Sequence, residues 1–145
     1  MFKHVLLPTD GSPVSEAAIQ KIIEFAREMQ ATVSGVHVMP AFNFLLFEPM
    51  ILEDSRAQFA SENLALSTQY LDAIHTAAKA AGVACQTVSV TSDHPHQAIL
   101  KVAQERGCDL IAMASHGHKG IKGFLLGSET QKVLAHSSLP VLVFR

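Results

Sequence analysis

Apolar positions recur along this chain in two alternating rhythms. Val5-Leu6-Leu7 is a compact apolar run, and Pro8-Thr9-Asp10-Gly11-Ser12 after it is dense in turn and capping residues. A first strand is therefore expected over His4–Leu7. Ser12 before Pro13 reads as a helix N-cap followed by proline at the first helical position. Val14, Ala18, Ile22, Phe25 and Met29, at three- and four-residue spacing, carry that helix to about Gln30 with one buried face. A second strand follows over Thr32–Met39 and stops at Pro40. A long helix is expected from about Glu53 to Ala81, with Ala60, Leu64, Ser67, Leu71, Ile74, Ala78 and Ala81 as its buried stripe and Gly82 as its stop. A third strand over Ala84–Thr91 leads to a helix over Pro95–Arg106. Ile99, Val102 and Ala103 of that helix face inward, and Gly107 ends it. Leu110–Ala114 is the fourth strand, Ser128–His136 a fourth helix with Ser128 as its cap, and Val141–Phe144 the fifth strand.

Strict alternation of strands and helices, with near-continuous apolar strands, predicts an α/β fold with a parallel sheet covered on both faces. Right-handed crossovers make a doubly wound sheet of order 3-2-1-4-5 the economical arrangement. The switch point then lies between strands one and four, and ligands of such sheets bind beyond the strand C-termini there. The loops meeting at that point are Pro8–Ser12 and Ala114–Ser128.

Residues 41–52 break the rhythm. Three of the eight phenylalanines fall in this stretch, between prolines and without clear periodicity. Two readings stand: a connection folded back onto the core, or an apolar lid or protein-partner surface at Phe42–Met50.

Composition narrows the classes. The chain has 145 residues, of which 48% are hydrophobic and 17% charged, which fits one globular domain over 1–145. A net charge of −2 offers no electrostatic case for nucleic-acid binding. No apolar run reaches the roughly 18 residues of a membrane span, and the start lacks a secretory leader pattern, so a cytoplasmic protein is expected. Cys85 and Cys108 lack metal or redox spacing and read as small buried thiols.

The chemistry-bearing stretch is Ala114-Ser115-His116-Gly117, followed by nine residues and then Gly127-Ser128. A strand passing through a small-residue loop into a helix start can hold an anion on converging backbone N–H groups. Neither GxxxxGK[ST] nor GxGxxG occurs, so the Walker and dinucleotide signatures are absent. Asp10 fits either an Asx turn or a ligand-facing carboxylate. His94-x-His96 and His116-x-His118 follow strands three and four. The two intervening strands separate those ends by about 14 Å, so no shared metal site is expected. Ser115, His116 and Asp10 do not make a hydrolase triad, because two of them are sequence neighbours and no GxSxG elbow exists. No arginine lies in 114–130 to stabilise a phosphoryl-transfer transition state.

These residues resemble the universal stress protein family. Strand one ending in Pro8-Thr9-Asp10-Gly11-Ser12, His37-Val38 at the end of strand two, and the closing Leu139-Pro140-Val141-Leu142-Val143 are similar to the family pattern. The most specific likeness is to its nucleotide motif of glycine, two residues, glycine, nine residues and Gly-Ser/Thr. The resemblance covers nearly the whole chain. It implies an ATP site in which Pro8, Thr9 and Asp10 surround adenine and ribose, with Asp10 on the sugar and Val38 against the base. Met113, Ala114 and Gly117 would line it, and Gly127, Ser128, Glu129 and Thr130 would hold the phosphates, with Mg²⁺ carried in by the nucleotide. The resemblance also implies a homodimer through the edge strand Val141–Phe144. Alanine stands at 114 in place of the motif's first glycine, and its methyl crowds the ligand if the backbone there needs positive φ or close approach. Glu129 repels a triphosphate unless it points away or acts through a metal.

The expected function is an ATP-binding, dimeric stress-response regulator or survival factor without dedicated catalysis. The alternatives are a nucleotide-free member acting by dimerisation and protein contacts, and a weak ATPase or phosphotransferase.

Overall fold

The computed structural model describes residues 1–41, 52–116 and 126–145, and the side chains of all of these but 52–54. The Phe42–Met50 segment, Gly117 and His118 lie outside the described residues. Strands and helices alternate as β1 (His4–Thr9), α1 (Pro13–Glu28), β2 (Thr32–Met39), α2 (Leu52–Ala81), β3 (Cys85–Thr91), α3 (Pro95–Glu105), β4 (Leu110–Ala114), α4 (Ser128–His136) and β5 (Val141–Phe144). The five strands form one sheet of order β3-β2-β1-β4-β5, every pair parallel, as the alternation predicts.

Alternation of side chains along the strands divides the core in two. Val5, Leu7, Val33, Leu110, Ala112 and Ala114 pack with Ile19, Ile22 and Ile23 of α1 and with Leu71 and Ile74 of α2. Leu6, Val36, Ile111 and Met113 pack on the other face with Ile99 and Val102 of α3 and Val133 of α4. Cys108 is buried and Cys85 half-buried, both as free thiols. Burial, helped by the charge of Asp109, pushes the Cys108 thiol up to about 11.

β1 runs two residues further than its apolar run suggests, so Pro8 and Thr9 are strand residues. The N-terminus of α1 forms as expected: Ser12 is extended, and its hydroxyl accepts the Ser15 N–H at 3.1 Å. The helix ends earlier than about Gln30. Gln30 takes φ 55°, with its N–H bonded to the Arg27 carbonyl and the Ala31 N–H to the Ala26 carbonyl. That is a Schellman closure with glutamine where glycine is usual. Gly82 and Gly107 close α2 and α3 by the same pair of bonds. In each case the next residue, Ala31, Val83 or Cys108, is buried and leads towards the following strand.

The expected buried stripe of α2 holds only in its C-terminal half. Ser67, Leu71, Ile74 and Ala78 are buried, whereas Ala60 and Leu64 are exposed, Leu64 at 55%. At 30 residues the helix is about 45 Å long, while an eight-residue strand spans about 26 Å. Its N-terminal half therefore overhangs the C-terminal edge of the sheet.

At the opposite edge Asp109 joins β4 to β1. Its carboxylate accepts the Lys3 N–H at 2.8 Å and the His4 N–H at 3.0 Å. Desolvation raises its carboxyl pKa, but these hydrogen bonds outweigh it and leave the value lowered. A lowered folded-state pKa means the stabilisation is complete above the unfolded value and is lost as pH falls through the folded one. Asp109→Ala should thus cost about 1–2 kcal/mol at neutral pH. In urea denaturation the gap to wild type should narrow below about pH 4; a gap that widens on acidification would contradict this. Gln30→Gly should stabilise the chain by about 1 kcal/mol, because glycine takes left-handed backbone without the Cβ clash. A lower denaturation midpoint for that variant would show that Gln30 makes a compensating contact.

Candidate functional site

A cleft of about 740 Å³ opens at the C-terminal edge of the sheet, over the switch between β1 and β4. Ten of the sequence-identified residues line it: Pro8, Thr9, Asp10, Val38, Met113, Ala114, Gly127, Ser128, Glu129 and Thr130. The eleventh, Gly117, lies outside the described residues. A second groove of about 610 Å³, between the C-terminal ends of α3 and α4, contains none of them.

The β1 side of the cleft is a short hydrogen-bonded turn. Thr9 Oγ1 lies 2.9 Å from Ser15 Oγ in a buried contact and accepts the Gly11 N–H at 3.2 Å. Asp10 Oδ1 accepts the Ser12 N–H at 3.0 Å, so the residue makes its Asx turn and lines the cleft as well. Gly11 has φ 75°, and a Cβ on it would overlap the Tyr70 ring. α2 is thereby seated directly on the turn that carries Asp10.

Tyr70 also meets His37 edge-on, with ring centroids 5.1 Å apart at 76°. His37 is buried, and its Nδ1 lies 2.8 Å from Ser67 Oγ. His37 thus joins β2 to α2 through this contact. Asn63, Leu66 and Tyr70, three and four residues apart, form the overhanging wall. The sequence stripe missed them because they flank the buried face of α2; their spacing on one helix edge was the available signal.

The β4 side is held by backbone. The Gly127 N–H donates to the Ser115 carbonyl at 2.8 Å, and the Ser115 N–H to the Phe144 carbonyl at 2.8 Å. The buried Thr130 hydroxyl donates to the Ala114 carbonyl at 3.1 Å. Ser128, expected as the cap, is instead the first residue of α4. The extended N-cap is Gly127, without a side-chain cap bond. The reason is space: a Cβ at Gly127 would stand 2.8 Å from the His116 Cα, so the helix start lies hard against the strand exit.

Ala114 does not take positive φ, one of the two conditions under which its methyl would crowd a ligand. It is the last residue of β4, and among the described residues the one non-glycine with positive φ is Gln30. Its methyl packs in the core cluster shared with α1 and α2.

Glu129 is turned towards α3. Its Oε2 accepts the His96 N–H at 2.9 Å, and its Oε1 accepts from Lys132 Nζ at 3.2 Å. His94, at the N-cap of α3, makes no side-chain cap bond, so Glu129 caps that helix from another element. His96 Nδ1 lies 3.4 Å from the same carboxylate but is not hydrogen-bonded to it. Among the described residues no three His, Cys, Asp or Glu side chains form a metal-holding group.

Across the cleft the arrangement joins an apolar floor (Val36, Val38, Ile99, Met113), a carboxylate at Asp10, and the N-terminus of α4. Such a combination suits a flat apolar ring, a hydroxylated linker and an anion.

The family model described as the universal stress protein family matches residues 1–145. The chain belongs to the universal stress protein family. It is 30% identical to Universal stress protein YxiE of Bacillus subtilis over 153 residues, spanning all of both chains. The solved structure of MJ0577, a universal stress protein of Methanocaldococcus jannaschii, matches with a TM-score of 0.82 at 29% identity, over 99% of this chain and 95% of that one. A universal stress protein from Archaeoglobus fulgidus, solved in complex with dAMP, shares the fold with a TM-score of 0.70 at 16% identity, over 100% of this chain and 98% of that one. Among the described residues, no helix of this family member is long and apolar enough to cross a membrane.

Gly127→Ala should lower stability by about 1–3 kcal/mol, because the added methyl meets backbone that cannot rotate away. Thermal unfolding checks this, and an unchanged midpoint would mean that residues 115–116 yield to the methyl.

Proposed function

We propose that this universal stress protein binds ATP in the cleft between β1, β2 and the start of α4. In this reading it acts as a homodimeric, cytoplasmic stress-response regulator without dedicated catalysis. The observation that carries the reading is the meeting of Asp10 with the α4 N-terminus across an apolar floor, in one cleft of about 740 Å³. Adenine would sit over Val38 and Met113, beside Pro8 and Thr9. The Asp10 carboxylate would take the ribose hydroxyls. Ser128, Glu129 and Thr130 would present backbone N–H groups to the phosphates, with Gly127 holding that helix start against β4 through its own N–H and with Ala114 and Gly117 at the edge of the loop. Mg²⁺ would arrive with the nucleotide and neutralise part of its charge.

The A. fulgidus relative that holds dAMP supports an adenine nucleotide on this fold. The catalytic side is thin: the described lining residues include no arginine for a phosphoryl-transfer transition state. The dimer reading rests on β5, which pairs with β4 alone at one edge of the sheet. An antiparallel two-fold mate would cover that edge.

Calorimetry of refolded, nucleotide-stripped protein with ATP and Mg²⁺ tests the central point. Saturable binding is expected, weakened at least about tenfold in Asp10→Ala, the loss of a charged hydrogen-bonding group. Ala114→Gly should change affinity by less than about threefold, since the methyl belongs to the core, and should cost about 1 kcal/mol of stability. No binding at millimolar ATP would retire the nucleotide reading. Binding that appears only in Ala114→Gly would show that the methyl obstructs the site.

A further inference from the structure

The charges around the cleft are unusual for a polyphosphate site. Among its described lining residues stand three carboxylates, Asp10, Asp93 and Glu129, against one ammonium, Lys132. Lys119 and Lys122 of the intervening loop lie outside the described residues. Glu129 is the second residue of α4, in the turn whose N–H groups would face phosphate. Its charge is matched by Lys132 one turn later, 3.2 Å away. The pair is half in water, with Glu129 36% and Lys132 50% exposed. The start of α4 thus offers phosphate its helix dipole and N–H groups, but no net side-chain charge.

We infer that the Glu129–Lys132 pair is a specificity-determining element that sets how much phosphate charge the cleft accepts. By cancelling its own charge at the α4 start, it leaves the free tetra-anion without a compensating side-chain cation and so favours a triphosphate taken as its divalent-cation complex. The inference rests on the nucleotide reading above. Coulomb energy scales with the product of charges, so one unit added or removed beside the phosphates acts about twice as strongly on free ATP, at about four negative charges, as on AMP, at about two. A divalent cation removes about half the charge of ATP and brings it close to AMP.

Glu129 also caps α3, and a purely structural role has to be separated from this one. Glu129→Gln does so, because the glutamine carbonyl still accepts the His96 N–H while the charge is gone. Lys132→Gln makes the opposite charge change without touching that cap. The loop lysines are common to every variant, so their contribution cancels in the ratios.

The test is calorimetry with free ATP in EDTA, with ATP in excess Mg²⁺, and with AMP, on wild type, both single variants and the double variant. At low ionic strength, Glu129→Gln should tighten free ATP by roughly tenfold but AMP and Mg-ATP by no more than about threefold. Lys132→Gln should weaken free ATP by a similar factor, and the double variant should return to within about threefold of wild type. Equal effects on ATP and AMP, or no effect of Glu129→Gln on free ATP, would overturn the inference while leaving nucleotide binding intact. Failure of wild type and all variants to bind any of the three ligands would overturn the nucleotide reading itself.

Discussion

The contact on which the site depends is the close approach of the α4 start to the exit of β4. The Gly127 N–H bonds the Ser115 carbonyl, the Thr130 hydroxyl bonds the Ala114 carbonyl, and no space remains for a Cβ at 127. Because β4 lies beside β1, this contact holds a helix N-terminus next to the turn that carries Asp10. If α4 stood further off by the width of a methyl group, its N–H groups would leave the cleft edge. The juxtaposition of carboxylate and helix start therefore depends on that contact.

Two further elements complete the cleft from outside the switch point. α2 is longer than the strands beneath it, and its overhang supplies a wall of Asn63, Leu66 and Tyr70. Tyr70 seats that wall on Gly11, so the position of Asp10 is braced by a helix some sixty residues away in the chain. On the other side Glu129 caps α3 through the His96 N–H, tying the two helices of the second face together at the cleft rim. A charge in the first turn of α4 is thereby given structural work as well as an electrostatic one.

The sheet order and both core faces were legible in the sequence. Short strand-forming segments between well-marked helices leave few parallel arrangements, and Gly82 and Gly107 announce their helix ends. The convergence of Pro8–Ser12 with Ala114–Ser128 followed from that order. The end of α1 was less visible, because glutamine in a left-handed position carries no local signal. The α2 stripe was overextended because periodicity identifies a face and not how far the sheet reaches beneath it. Ser128 looked like a cap because serine usually is one; the steric limit on Gly127 comes from His116, eleven positions earlier. The turn of Glu129 towards α3 depends on a bond across 33 residues and had no sequence signature. At Ala114 the strand conformation removes the need for positive φ, while the residue still lines the cleft.

The central claim is that an adenine nucleotide occupies the cleft between Asp10 and α4. Amide-resolved NMR titration of isotope-labelled, nucleotide-stripped protein with Mg-ATP tests it most directly. The account predicts saturable shifts at Asp10, Val38, Ser128 and Thr130 with one shared affinity, while Gln104 and Ser138 in the second groove stay in place. Shifts confined to the second groove, or no saturable response at Asp10 and Ser128, would contradict it.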